Sequence, residues 1–118
     1  MIMKYKLIVV VDNKLKMPKG KLAREVAGAV THVLMYSWSF LKFAKLLPWY
    51  KGGMKTIVLK TDEMDDLVSD MQTLGIKFFP MVDAGITVFD GVPTRTCIGF
   101  PICTNEKTPI MLDELKLL

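Results

Sequence analysis

From Lys6 to Val11 the chain is almost continuously apolar and rich in β-branched side chains. A strand with no polar face belongs in a sheet that is covered on both sides. Asp12-Asn13 then signals a turn, and from Gly20 onward the spacing becomes helical: Leu22, Val26, Ala29, Val30, Val33 and Leu34 form one stripe. A fully covered strand feeding an amphipathic helix is the start of an α/β arrangement.

The rest of the chain repeats that alternation. Residues 38–47 read as a second helical piece stopped by Pro48, and Gly52-Gly53 turns the chain into a strand from Lys55 to Lys60. Thr61 or Asp62 is expected to cap a helix with an acidic first turn, whose Met64, Leu67, Val68, Met71 and Leu74 face the core and which Gly75 ends. Lys77 to Val82 reads as a third strand, Asp83-Ala84-Gly85 as a turn, Arg95 to Gly99 as a fourth strand, and Thr108 to Glu114 as a last short helix. All 118 residues fit one domain, large enough to bury a core without staples. The expected fold is an open α/β sheet with helices on both faces.

Charge is unevenly spread. Residues 1–60 carry twelve Lys or Arg against Asp12 and Glu25, whereas residues 61–118 carry four against ten carboxylates. Five of those acids, Asp62, Glu63, Asp65, Asp66 and Asp70, share one predicted helix, which leaves a basic surface elsewhere on the domain. Such a surface attracts polyanions, nucleic acid foremost and an acidic membrane surface second. No apolar run approaches the ~20 residues that span a bilayer. The opening apolar run is too short for a signal peptide, so a cytoplasmic location is expected. Cys97 and Cys103 do not have metal-ligand spacing, and with a single His no zinc set is expected; buried, reduced strand cysteines are the plain reading.

Two short blocks carry the chemistry. Lys19-Gly20-Lys21 stands at the mouth of the first helix, where a cation opposes the macrodipole unless an anion completes the arrangement. The ordinary alternative is a solvated lysine pair. Lys21, Arg24, Glu25, Gly28 and His32 recur at three- and four-residue intervals and are expected to share one exposed or substrate-facing strip. Asp83 follows a strand, where ligands gather in open α/β sheets, so the two blocks are expected to meet at one edge. Ester hydrolysis needs a positioned water, a base and donors for the oxyanion. Asp83 supplies the base, Thr87 lies four residues on, and Lys21 can hold an oxyanion or a phosphate. An Asx turn is the competing role for Asp83.

The chain resembles the archaeal and eukaryotic class of peptidyl-tRNA hydrolases over nearly its whole length. The resemblance rests on the opening strand Lys6 to Val11, on Leu15-Lys16-Met17-Pro18-Lys19-Gly20-Lys21-Leu22-Ala23, and on Trp49 with Gly52. It continues through Lys55-Thr56-Ile57-Val58-Leu59-Lys60, Asp83-Ala84-Gly85, Thr87, Thr94-Arg95-Thr96-Cys97 and the terminal Leu115-Lys116-Leu117-Leu118. It implies a four-stranded mixed sheet flanked by helices, a homodimer, cleavage of the ester linking a peptide to tRNA, and no metal or organic cofactor. Lys21, Asp83, Thr87 and Thr96 match the residues proposed to act in that family, and Lys19, Lys21 and Arg24 are the expected tRNA contacts. The chain departs from the family where a usual Gln falls on Glu25, a usual His on Gly28, a basic residue on Ile86 and a Gln on Val88, and one residue is inserted between Thr87 and Thr96. These departures point to weakened activity. His32, the only histidine, is left out of the catalytic set.

Two other functions stay open on sequence grounds: an RNA-binding module without catalysis, and an interaction protein. The positive mean hydropathy of +0.31 and the aromatic segment Trp38, Phe40, Phe43, Trp49 and Tyr50 suit a covered surface, and a homodimer is the simplest cover. Stacking of nucleotide bases is the alternative use of those rings.

Overall fold

A computed structural model describes residues 4–39, 43–84 and 91–118. The chain runs through β1 (Tyr5–Asp12), α1 (Lys19–Ser37), α2 (Phe43–Lys51), β2 (Thr56–Thr61), α3 (Met64–Leu74), β3 (Phe79–Asp83), β4 (Thr94–Gly99), β5 (Cys103–Thr104) and β6 (Lys116–Leu117). Short 3-10 turns at Asn13–Leu15, Asn105–Lys107 and Ile110–Glu114 link them.

The sheet is ordered β3-β4-β1-β2-β6, with β5 pairing onto the start of β1. β1 and β2 are parallel, β4 is antiparallel to β1, and β3 is antiparallel to β4. β1, β2 and β3 therefore all end at one edge of the sheet, where α1 and α3 begin. The sheet has six strands rather than four. The two extra ones are two-residue strands, too short for a period-2 pattern to reveal.

β1 is apolar on both faces because it is the central strand of two cores. Ile8 and Val10 pack with Leu59 and with Met64, Leu67, Val68 and Met71 of α3. Leu7, Val9 and Val11 pack with Ala29 and Val33 of α1 and with Trp49 of α2. Alternate residues of one strand thus hold helices on opposite sides, as expected for a sheet covered on both faces. At Gly99 the approach of α1 is close: a Cβ there would lie 2.9 Å from Val33 Cγ2 and 3.3 Å from the Ala29 carbonyl oxygen.

Several local expectations are corrected. Pro48 does not stop α2; it lies inside the helix, which continues to Lys51. Trp49 explains this, since it is buried and its indole N–H donates to the Lys55 carbonyl at 2.8 Å. An interior proline costs roughly 3 kcal/mol, and burial of a tryptophan is of similar size. Residues 40–42 of the predicted helical piece lie outside the described residues. In α3, Glu63 holds the N-cap position without a side-chain cap, because β2 extends to Thr61, whose hydroxyl accepts the Glu63 N–H at 3.0 Å. Leu74 is exposed; Gly75 turns left-handed at φ +69, and Ile76, whose N–H donates to the Met71 carbonyl, packs on the core in its stead. The last predicted helix is the shorter 3-10 turn Ile110–Glu114, after which the chain pairs with β2.

Candidate active site

α1 starts just beyond the end of β1, with Pro18 before its first turn and no side chain capping it. Pro18 instead offers its carbonyl to the Leu22 N–H at 2.8 Å. This register leaves Lys19 exposed and turns Lys21 inward toward the end of β3. There Lys21 Nζ donates to Asp83 Oδ1 and lies 3.4 Å from Glu25 Oε1, one helical turn along α1. The three side chains are 7%, 9% and 5% exposed, respectively. Arg24 approaches from solvent, its side chain 73% exposed and its Nη1 3.8 Å from Asp83 Oδ1. The two sequence blocks do meet at one edge of the sheet.

The strip Lys21, Arg24, Glu25, Gly28, His32 is exposed only in part, at Arg24 and His32. It faces the end of the sheet formed by β3 and β4. Glu25 is buried, and a Cβ on Gly28 would stand 2.5 Å from Met81 Cε, so the Met81 side chain covers that position. His32 is exposed and tilts against the Phe79 ring at 5.0 Å. A cation in the first turn of α1 opposes the helix dipole, and here the neutralising anions belong to the chain itself.

Glu25 is the residue whose part sequence reasoning missed. Its Oε1 is buried and makes no hydrogen bond among the described residues, although the Lys21 ammonium is near. The i, i+4 spacing to Lys21 was the available signal. A second charged group sits at the same edge on the other face, where Arg95 of β4 pairs with Asp65 of α3. Asp12, at the end of β1, has its carboxyl pushed above the usual range, chiefly by burial and with Asp65 adding repulsion.

Thr96 is fully buried at an irregularity in the β3–β4 ladder. Met81 pairs with Cys97 and Val82 with Arg95, so Thr96 is left between them. Its hydroxyl donates to the Met81 carbonyl at 3.3 Å, two residues before Asp83. The structure brings Lys21 and Asp83 together and sets Thr96 behind the strand that carries Asp83. Thr87 lies outside the described residues, as do Gly85, Ile86 and Val88. Cys97 Sγ donates to the Glu25 carbonyl at 3.4 Å, and burial pushes its thiol up to about 11 despite the Thr96 hydroxyl beside it. At neutral pH it is a protonated thiol, unsuited to attack as a nucleophile. Cys103 is also buried, and both cysteines are free. Among the described residues no three His, Cys, Asp or Glu side chains converge as metal ligands do, and no helix is long and apolar enough to cross a membrane.

An α/β domain that buries a lysine between two carboxylates at the carboxyl edge of its sheet has the parts of an acid–base hydrolase. The model of one family, Peptidyl-tRNA hydrolase PTH2, matches residues 5–118, and the chain belongs to that family. Among curated proteins it is similar to a peptidyl-tRNA hydrolase of Saccharolobus solfataricus, 31% identical over 119 residues, covering 96% of this chain and 98% of that protein. It is also similar to peptidyl-tRNA hydrolases of Thermococcus sibiricus, at 36% identity with 98% of both chains covered, and of Thermococcus onnurineus, at 32% with the same coverage.

Proposed function

We propose that this chain hydrolyses the ester between a peptidyl group and tRNA, with Asp83 as the base and Lys21 as the cation of the site. The observation that carries the assignment is the buried contact of Lys21 with Asp83, reaching from the first turn of α1 to the last residue of β3 in a chain of this family. Asp83 accepts a proton from water as the oxygen attacks the ester carbonyl carbon. The Lys21 ammonium, already beside Asp83, lies where it can stabilise the negative charge that develops on the carbonyl oxygen. Collapse of the tetrahedral intermediate breaks the bond to the ribose oxygen, which takes back the proton held by Asp83 and leaves as the tRNA hydroxyl. The free acid of the peptide is the other product.

Thr96 supports this chemistry from behind, by fixing the Met81 carbonyl and with it the course of β3 into Asp83. Thr87 is proposed as a further residue of the reaction on the strength of its match to the family pattern. Lys19 and Arg24, both exposed, take phosphates of the tRNA next to the scissile ester. The chain is further assigned as a cytoplasmic homodimer. Exposed Met35, Trp38 and Tyr50 border an apolar groove of ≈ 760 Å³ between α1 and α2, a surface a second copy would cover.

Turnover of N-acetyl-aminoacyl-tRNA is the test, read as release of the blocked amino acid. Release that is lost in Asp83→Asn supports the assignment. No release by the wild-type protein, together with salt-dependent tRNA binding, would establish the non-catalytic alternative instead. Light scattering at tens of micromolar tests the dimer, and a mass of 13.3 kDa would exclude it.

A further inference from the structure

Opposite the Asp83 edge of the sheet lies a second, smaller hollow of ≈ 190 Å³. Its floor is apolar, formed by Ile76, Phe100, Pro101 and Ile102, and three lysines line it: Lys45, Lys77 and Lys107. They come from three separate parts of the fold, namely α2, the connection into β3, and the 3-10 turn after β5. None of the three is ion-paired among the described residues. Lys77 instead stands over the rings of Tyr36 and Phe79, at 5.3 and 5.4 Å. Glu106, next to Lys107 in sequence, is engaged by its own backbone N–H and the Thr104 hydroxyl, with Lys4 as its nearby cation. Lys77 and Lys107 belong to the acid-rich half of the sequence, yet folding brings them to Lys45 of the basic half.

A concavity lined by one sign of charge over a low-dielectric floor concentrates the field that attracts a counter-ion. We propose that Lys45, Lys77 and Lys107 form an anion site that binds a phosphate of the RNA backbone remote from the scissile ester. The inference rests on the substrate proposed above and adds a second anchoring point to it. Phe79 pairs with Gly99 and Asp83 with Thr94, so the hollow and the candidate active site lie at opposite ends of β3. Four steps of ~3.3 Å from Phe79 to Asp83 separate those ends by roughly 13 Å. One strand of a nucleic acid carries about one charge per 3.4 Å of helix axis, so a substrate held at Asp83 has phosphates within reach of the second site. The site thus holds the RNA backbone beyond the ester, while Lys19 and Arg24 serve the end that reacts.

The test compares wild type with a Lys45→Ala/Lys77→Ala/Lys107→Ala variant in three assays. Binding of uncharged tRNA is followed against salt, turnover is measured on N-acetyl-aminoacyl-tRNA, and turnover is measured on the same blocked amino acid esterified to adenosine, which carries no phosphate. The expected result is about tenfold weaker tRNA binding and a slope of log affinity against log salt reduced by about 0.7–0.9 for each phosphate no longer neutralised. KM for the full tRNA should rise with kcat unchanged, and the adenosine ester should be unaffected. Lys77→Met, which keeps the aliphatic stem over Tyr36 and Phe79, should reproduce its share of the binding loss and so separate charge from packing. An unchanged salt slope, or an equal loss on the adenosine ester, overturns the proposal. So does protection of the wild type alone by millimolar inorganic phosphate with no change in tRNA affinity, which would mark a free-anion site. If the wild type binds tRNA through these lysines but cleaves nothing, the anion site stands and the hydrolase assignment falls.

Discussion

On each face of the sheet, at the same edge, an ion pair ties a helix to a strand. Beneath α1, Lys21 meets Asp83 with both side chains under a tenth exposed; beside α3, Arg95 meets Asp65 with the arginine 30% and the carboxylate 97% exposed. Sequence alone gives them equal weight, since each is a cation and an aspartate far apart in the chain. Burial separates them. The exposed pair is screened by water and is worth about 0–1 kcal/mol, whereas loss of one partner from a buried pair costs about 3–5 kcal/mol because a charge stays behind without compensation. Charge placed under α1 at that cost points to chemistry, and charge beside α3 needs only solubility to explain it.

The largest expected effect is on activity. Asp83→Asn should lower kcat by at least 10²-fold, the usual contribution of a general base, while tRNA affinity stays within about twofold. Near-wild-type turnover in that variant would make Asp83 a turn-capping residue and erase the functional difference between the two pairs. Next comes Lys21→Ala, which removes the ammonium from between two buried carboxylates. It should lose turnover, weaken tRNA binding, and lower the unfolding free energy in urea by about 3–5 kcal/mol. Asp65→Ala, its counterpart on the other face, should change stability by no more than about 1 kcal/mol and leave turnover intact. Equal losses from Lys21→Ala and Asp65→Ala would break the comparison.

The contrast also shows what could be read from the chain. The unbroken apolar run of β1 announced a strand between two layers, and the acidic start and glycine end of α3 placed that helix to within two residues. The meeting of Lys21 with Asp83 followed from strand-end logic in an α/β sheet. Burial of Glu25 did not, because the i, i+4 pattern places it beside Lys21 without saying whether that face of α1 meets water or β3. Pro48 misled because a local rule lost to one tertiary contact, the burial of Trp49. The lysines of the second hollow escaped because they lie in three segments with no common spacing.

Glu25→Gln sharpens the comparison within the buried cluster. Lys21 now stands between two carboxylates, and the amide would leave Asp83 as the carboxylate facing it while giving the buried position its own donor group. Turnover should rise by a few-fold, with no loss of stability in urea. A tenfold fall in kcat/KM would show that the Glu25 charge itself serves the reaction. In that case the buried acid would be part of the reacting site of this chain.

The smallest effect is expected at Asp12, which lies at the same edge but belongs to neither pair. Its carboxyl is raised above its ordinary value, first by burial and also by Asp65, so the folded state binds a proton more tightly than the unfolded chain does. The sign follows from linkage: stability falls as pH rises from the ordinary carboxylate range through the raised folded value, and is lower by a constant amount above it. Asn keeps an oxygen to accept the Lys14 N–H, which Asp12 Oδ1 now does at 3.1 Å, and removes the charge. Asp12→Asn should therefore raise Tm slightly at pH 7, with the gain vanishing below about pH 4, where the native carboxyl is protonated in both states. Thermal melts of the two proteins at pH 7 and pH 3.5 decide the matter. A lower Tm for the variant at pH 7 would mean that Arg95 attracts Asp12 more strongly than burial and Asp65 oppose its charge. The Asp65–Arg95 pair would then be part of a three-membered network with more weight than its exposure suggests.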